Sequence, residues 1–131
     1  MASGVKLDSF NHVGHVVKDR DATMESWTKL FGVEWRKVID SGALKMATGT
    51  LGSVDVELLE PTEDKSLWAV FLKAHGEGLH HVAANVADVD AAAEKLVAEG
   101  GEKLIGIPGA MAYVDIKGPG GVILELLKTR S

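Results

Sequence analysis

The chain has 131 residues, 46% of them apolar and 25% charged, the size and composition of one globular domain rather than of a disordered or fibrous chain. A balance of 19 acidic against 14 basic residues gives a net charge of −5, and without a Lys/Arg cluster of the kind that tracks a phosphate backbone, no nucleic-acid partner is expected. Cysteine is absent, so disulfides, thiolate nucleophiles and Cys-ligated zinc are excluded, and any metal must use nitrogen and oxygen ligands.

In chain order, the start Met1-Ala2-Ser3-Gly4-Val5-Lys6 carries no apolar signal run, and no segment approaches ~20 unbroken apolar residues. A cytoplasmic protein that stays off the membrane is expected. Phe10 to Val17, apolar and β-branched, predicts a strand. Asp19 or Asp21 then offers an N-cap to a helix with Met24, Trp27, Leu30 and Phe31 on its apolar face, closed by Gly32. Strands are predicted at about 33–40, 43–48 and 53–60, the last two joined by a Gly49-Thr50-Leu51-Gly52 turn. After Pro61, helical spacing of Leu67, Val70, Phe71 and Ala74 predicts a linker helix. A strand over 80–86 follows, then a helix over 88–99 burying Val89, Ala93, Leu96 and Val97. Strands near 102–106, 110–116 and 121–128 end the chain, the last turn being Gly118-Pro119-Gly120-Gly121.

The two ends of this succession are copies. The run from His12 to Gly32 aligns without gaps to the run from His81 to Gly101, an offset of 69, with His12/His81, Val17/Val86, Asp19/Asp88, Asp21/Asp90, Glu25/Glu94 and Gly32/Gly101 identical. Val54 to Leu59 matches Val122 to Leu127, so that Glu57 follows His12 by 45 residues and Glu125 follows His81 by 44. The chain therefore reads as one α+β domain over 1–131: a βαβββ module over 9–61, a linker helix over 62–76 and a second βαβββ module over 78–128.

Strand alternation places His12 with Phe10, Gly14 and Val16, and Glu57 with Asp55 and Leu59. It places His81 with Ala83 and Asn85, and Glu125 with Ile123 and Leu127. Glu125 interrupts an apolar run in what reads as a central strand, where an unpartnered carboxylate costs several kcal/mol or stays protonated. A lone strand histidine is more often a satisfied core residue than a ligand. Recurrence of the same pair at the same spacing favours a metal instead, since a structural role gives no reason for both halves to keep both residues. Pseudo-twofold symmetry would bring His12, Glu57, His81 and Glu125 to one divalent ion, and two imidazoles with two carboxylates suit Co, Ni, Zn, Mn or Fe. His15 and His80 fall on the strand face opposite to that of His12 and His81 and read as structural, and His75 as a solvated loop residue. Tyr113, Asp115 and Asn85 are candidates to line the pocket.

These motifs, Asn11-His12-Val13-Gly14, Val56-Glu57-Leu58-Leu59-Glu60-Pro61, Gly78-Leu79-His80-His81-Val82-Ala83 and Gly121-Val122-Ile123-Leu124-Glu125-Leu126, resemble the vicinal oxygen chelate (glyoxalase/bleomycin resistance/dioxygenase) superfamily, and within it most the methylmalonyl-CoA epimerases. The resemblance implies paired βαβββ modules forming a cupped mixed sheet around a metal site. It implies a metal-dependent epimerase or isomerase that abstracts a proton alpha to a carbonyl through an enolate stabilised by the metal, with Glu125 as first and Glu57 as second candidate base. A small-molecule carbonyl or thioester substrate follows, with a homodimer as the assembly that analogy favours. The alternatives are a glyoxalase-I-like lyase acting on a hemithioacetal, a non-catalytic small-molecule-binding protein of the same fold, and an iron dioxygenase. The chain departs from typical epimerases over Ile107–Pro119, where those have a longer glycine-rich, basic stretch. Lys45 and Met46 stand where a second catalytic acid would be sought.

Overall fold

The computed structural model describes residues 4–130. Their order is β1 (Ser9–Val16), α1 (Arg20–Phe31), β2 (Trp35–Ser41), β3 (Leu44–Leu51), β4 (Val54–Pro61), α2 (Leu67–His75), β5 (Gly78–Val86), α3 (Val89–Ala98), β6 (Glu102–Ile107), β7 (Met111–Ile116) and β8 (Val122–Lys128). This is an α+β chain in which βαβββ occurs twice with α2 between. It divides into two compact units, the first over residues 12–80 and the second from His81 onward together with the residues before His12. No helix among the described residues is long and apolar enough to cross a membrane.

Both module helices start where an aspartate caps them. The Asp19 side chain accepts the Ala22 N–H at 2.9 Å, and the Asp88 side chain accepts the Ala91 N–H at 3.0 Å, each satisfying a donor that the first turn leaves without an intrahelical partner. Gly32, at φ 66°, closes α1 in the left-handed conformation that a side chain disfavours.

In the first unit the strands lie in the order β2-β3-β4-β1, with β1 parallel to β4 and the other pairs antiparallel. Such a sheet buries both faces, and alternation assigns them. Val17, Ala47, Val56 and Leu58 pack with Met24 and Trp27 of α1, whereas Val16, Leu44 and Leu59 pack with Trp68, Phe71 and Leu72 of α2. Leu58 and Leu59 are adjacent and fully buried on opposite sides, so Glu57, two residues before Leu59, belongs to the α2 face.

The second unit repeats this with β5-β8-β7-β6, β5 parallel to β8. Its core gathers Val86, Val89, Ala92, Ala93, Ala112, Val114 and Leu126. The segment before β1 is tied to the same unit, the Asp8 N–H donating to the Asn85 carbonyl at 2.8 Å and the Thr129 hydroxyl to the Asp8 carboxylate at 2.6 Å.

Four expectations are corrected. Leu30 and Phe31 are 67% and 58% exposed, because Trp27 fills the contact with the sheet, its ring 5.2 Å from His15 and 6.4 Å from Trp35. On α2 the packed stripe is Trp68, Phe71 and Leu72 rather than Leu67, Val70, Phe71 and Ala74, and Val70 is 57% exposed. That stripe is an equally regular helical one, and it buries the larger rings. Val97 of α3 faces solvent, and Ala92 takes the buried place. The β3–β4 turn is Gly52-Ser53, since Leu51 pairs with Val54, and Gly49 stays within β3. A Cβ on Gly49 would lie 2.7 and 2.8 Å from the Val33 and Trp35 side chains, so this glycine serves close packing.

Arg20 is a buried charge that the sequence reading did not single out. Its guanidinium pairs with Asp40 and with Asp21 and donates to the Ile39 and Met46 carbonyls. Its backbone N–H donates to Glu60 at 2.8 Å. Burial works against its charge, but the Asp40 and Asp21 carboxylates outweigh this and raise its pKa. The N-terminus of α1 is thereby fastened to β2, β3 and β4.

Candidate metal centre

In the first unit, parallel pairing of β1 with β4 sets Gly14 beside Glu57, and His12, two residues before Gly14, shares that face. The His12 Nε2 lies 3.8 Å from the Glu57 Oε1, with side chains 9% and 17% exposed. Across the hairpin from Glu57 stands Thr48. Sequence reasoning missed Thr48 because it placed the turn over 49–52; centring the turn on Gly52-Ser53 puts Thr48 and Glu57 opposite each other.

The second unit builds the same pair. Ala83 pairs with Glu125 across β5 and β8, His81 precedes Ala83 by two, and the His81 Nε2 comes 3.1 Å from the Glu125 Oε1, at 0% and 9% side-chain exposure. Tyr113 of β7 is directly opposite Glu125, and its ring lies 4.8 Å from the His81 ring. Of the three residues considered for the lining, Tyr113 is thus beside a ligand candidate. Asn85 instead accepts a hydrogen bond from Ser9, and Asp115 lies 3.9 Å from Lys117.

The other histidines are placed away from these pairs. His15 packs edge-on against Trp27. Burial lowers its pKa below the ordinary 6.5, with the Glu77 charge acting in the opposite sense. His80 is buried with its ring 4.9 Å from Phe71. His75 is exposed, as expected, but ends α2 rather than lying in a loop, its ring 4.7 Å from Phe71.

Each unit therefore presents one imidazole nitrogen and one carboxylate oxygen, largely shielded from water, at 3.8 and 3.1 Å. Two adjacent ligands on one ion, each about 2.1 Å from it, stand about 3.0 Å apart in six-coordinate geometry, which leaves positions for a substrate, and about 3.4 Å apart in a closed tetrahedral one. The donor set is nitrogen and oxygen, as a chain without cysteine requires, and suits a borderline divalent ion. The residues fit the group. Chemically, such a centre can polarise a substrate oxygen next to a carboxylate able to move a proton.

The first relative is the 2-epi-5-epi-valiolone epimerase of an Actinomyces species, 33% identical over 89% of this chain and 77% of that protein. The mitochondrial methylmalonyl-CoA epimerase of Dictyostelium discoideum is 27% identical over 93% of this chain and 79% of that protein. Among solved structures, the methylmalonyl-CoA epimerase of Streptomyces coelicolor, in complex with 2-nitronate-propionyl-CoA, superposes with a TM-score of 0.79 at 28% identity over 96% of this chain and 100% of that one. The family pattern that matches residues 11–112 covers most of both modules, and the chain belongs to the Glyoxalase/Bleomycin resistance protein/Dioxygenase superfamily.

Proposed function

We propose that the protein is a metal-dependent epimerase or isomerase that removes and returns a proton alpha to a carbonyl, in the manner of methylmalonyl-CoA epimerase. The observation that carries this reading is the recurrence, at one place in each module, of an imidazole–carboxylate pair largely shielded from water, His12 with Glu57 and His81 with Glu125. Relatives named as epimerases, at 27% and 33% identity, support the reaction class.

In this reading His12, Glu57, His81 and Glu125 hold one divalent ion. Bound there, the ion supplies a Lewis acid for the substrate's oxygens, lowering the cost of charge on the carbonyl oxygen as the adjacent carbon gives up its proton. Glu125, through the carboxylate oxygen that the ion leaves free, would take that proton and return it; Glu57 is the second candidate. Burial of Glu125 beside Tyr113 excludes water from the carboxylate, which favours return of the proton to carbon. A positioned acid or base of this kind contributes about 10²–10⁴ in rate.

The reading is tested by incubating the metal-loaded protein with methylmalonyl-CoA in deuterium oxide. Deuterium is expected at the α-carbon. Its absence with metal fully loaded removes this substrate, and turnover of methylglyoxal with glutathione instead replaces the reading with a lyase.

A further inference from the structure

The ligand face of the first unit carries more than its two ligand candidates. The pairing of β2 with β3 slips between Trp35 and Lys37, so that Arg36 is a bulge residue and Lys37 lies opposite Thr48. Thr48 lies opposite Glu57, and residues directly opposite in antiparallel strands share a face. Lys37, Thr48 and Glu57 therefore form one row. Arg36 reaches the same face: it pairs with Asp55 at 3.0 Å and bonds the Thr50 hydroxyl, and Asp55 and Thr50 stand two residues from Glu57 and Thr48. A bulge re-aims side chains in this way and turns two successive cations to one side. Asp55 neutralises the first cation. Lys37 is exposed and makes no ion pair among the described residues.

The second unit has the same device with different chemistry. Its β6–β7 pairing slips between Lys103 and Ile105, and Ile105 lies opposite Tyr113, which lies opposite Glu125. Where the first module has Arg36 and Lys37, the second has Leu104 and Ile105. The ligand pairs are duplicated and the cation is not. Lysine on an edge strand also deters edge-to-edge pairing, but that role asks nothing of its register with Thr48 and Glu57.

We infer that Lys37, with the Thr48 hydroxyl beside it, recognises a free carboxylate on the substrate, so that the substrate is a carbonyl compound bearing an acid group close to the chelating oxygens rather than a neutral hydroxylated ketone. This rests on the carbonyl-substrate reading of the site. Lys37 is a specificity residue and takes no part in proton transfer.

The test is calorimetric titration of the zinc-loaded full chain with malonate and, as a neutral control, malonamide. Malonate binding is expected to weaken at least about tenfold in Lys37→Gln, the worth of one charge-assisted hydrogen bond, and to be kept in Lys37→Arg, with malonamide affected by neither change. Equal malonate affinity in the original protein and Lys37→Gln, or no malonate binding at all, overturns the inference. Because this readout needs no turnover, failure of deuterium exchange with Lys37-dependent malonate binding intact removes methylmalonyl-CoA as substrate and leaves the carboxylate inference standing.

Discussion

Glu125 and Glu57 are the same residue in two copies of one motif, yet their neighbours differ: Tyr113 stands opposite the first and Thr48 opposite the second. Under the proposed function the more buried carboxylate, beside an aromatic ring, is the one assigned as base. Glu125→Gln keeps the side chain's shape and is expected to lower α-proton exchange by about 10²–10⁴, with the far-ultraviolet spectrum unchanged; exchange within threefold of the original would assign the proton transfer elsewhere. His15 makes a separate prediction. Burial lowers its pKa in the fold, so around pH 6.5 this site binds more protons in the unfolded state than in the folded one, and its contribution to stability falls as pH drops through that value. Denaturant titrations between pH 7.5 and 5 should show this fall, and His15→Gln should flatten it. Recurrence of the histidine–glutamate pair, together with alternation along each strand, sets the ligand candidates apart from His15 and His80 in the sequence. Arg20 escaped notice since nothing in its local sequence says that a helix start will be buried against β2 and β3.

At the scale of elements, the repeat made both βαβββ successions legible, because each half confirmed the other's period and cap. Asp19 and Asp88 make the same bond to the N–H three residues on. Replacing either by alanine is expected to cost about 1 kcal/mol in denaturant titration; no loss at both would mean that tertiary packing alone fixes the helix starts. Phase was harder to read than existence. On α1, Met24 and Trp27 pack as periodicity predicts while Leu30 and Phe31 stay exposed, and on α2, where two apolar stripes are available, the larger ring of Trp68 settles the matter by packing. The hairpin register was lost for a similar reason: Gly49 resembles a turn glycine in sequence, and only the nearness of Val33 and Trp35 shows why it is glycine. Leu58, buried between β1, β3 and α1, is the element-level anchor of the face opposite the ligands, and Leu58→Ala should cost about 2–5 kcal/mol.

For the whole molecule, two units each hold an imidazole beside a carboxylate, and the proposed function requires one ion to take both pairs. Such an ion would link the folding of the two units, stabilising the chain by an amount that grows with its concentration over its dissociation constant. A chelator is therefore expected to lower the melting temperature of the loaded protein. The most direct test is metal content after loading with zinc and buffer exchange, for the original chain and for His12→Ala and Glu125→Ala, one variant in each module. About one ion per chain is expected, lost in both variants alike. Full occupancy in either variant, or two ions removed independently by the two substitutions, would contradict it.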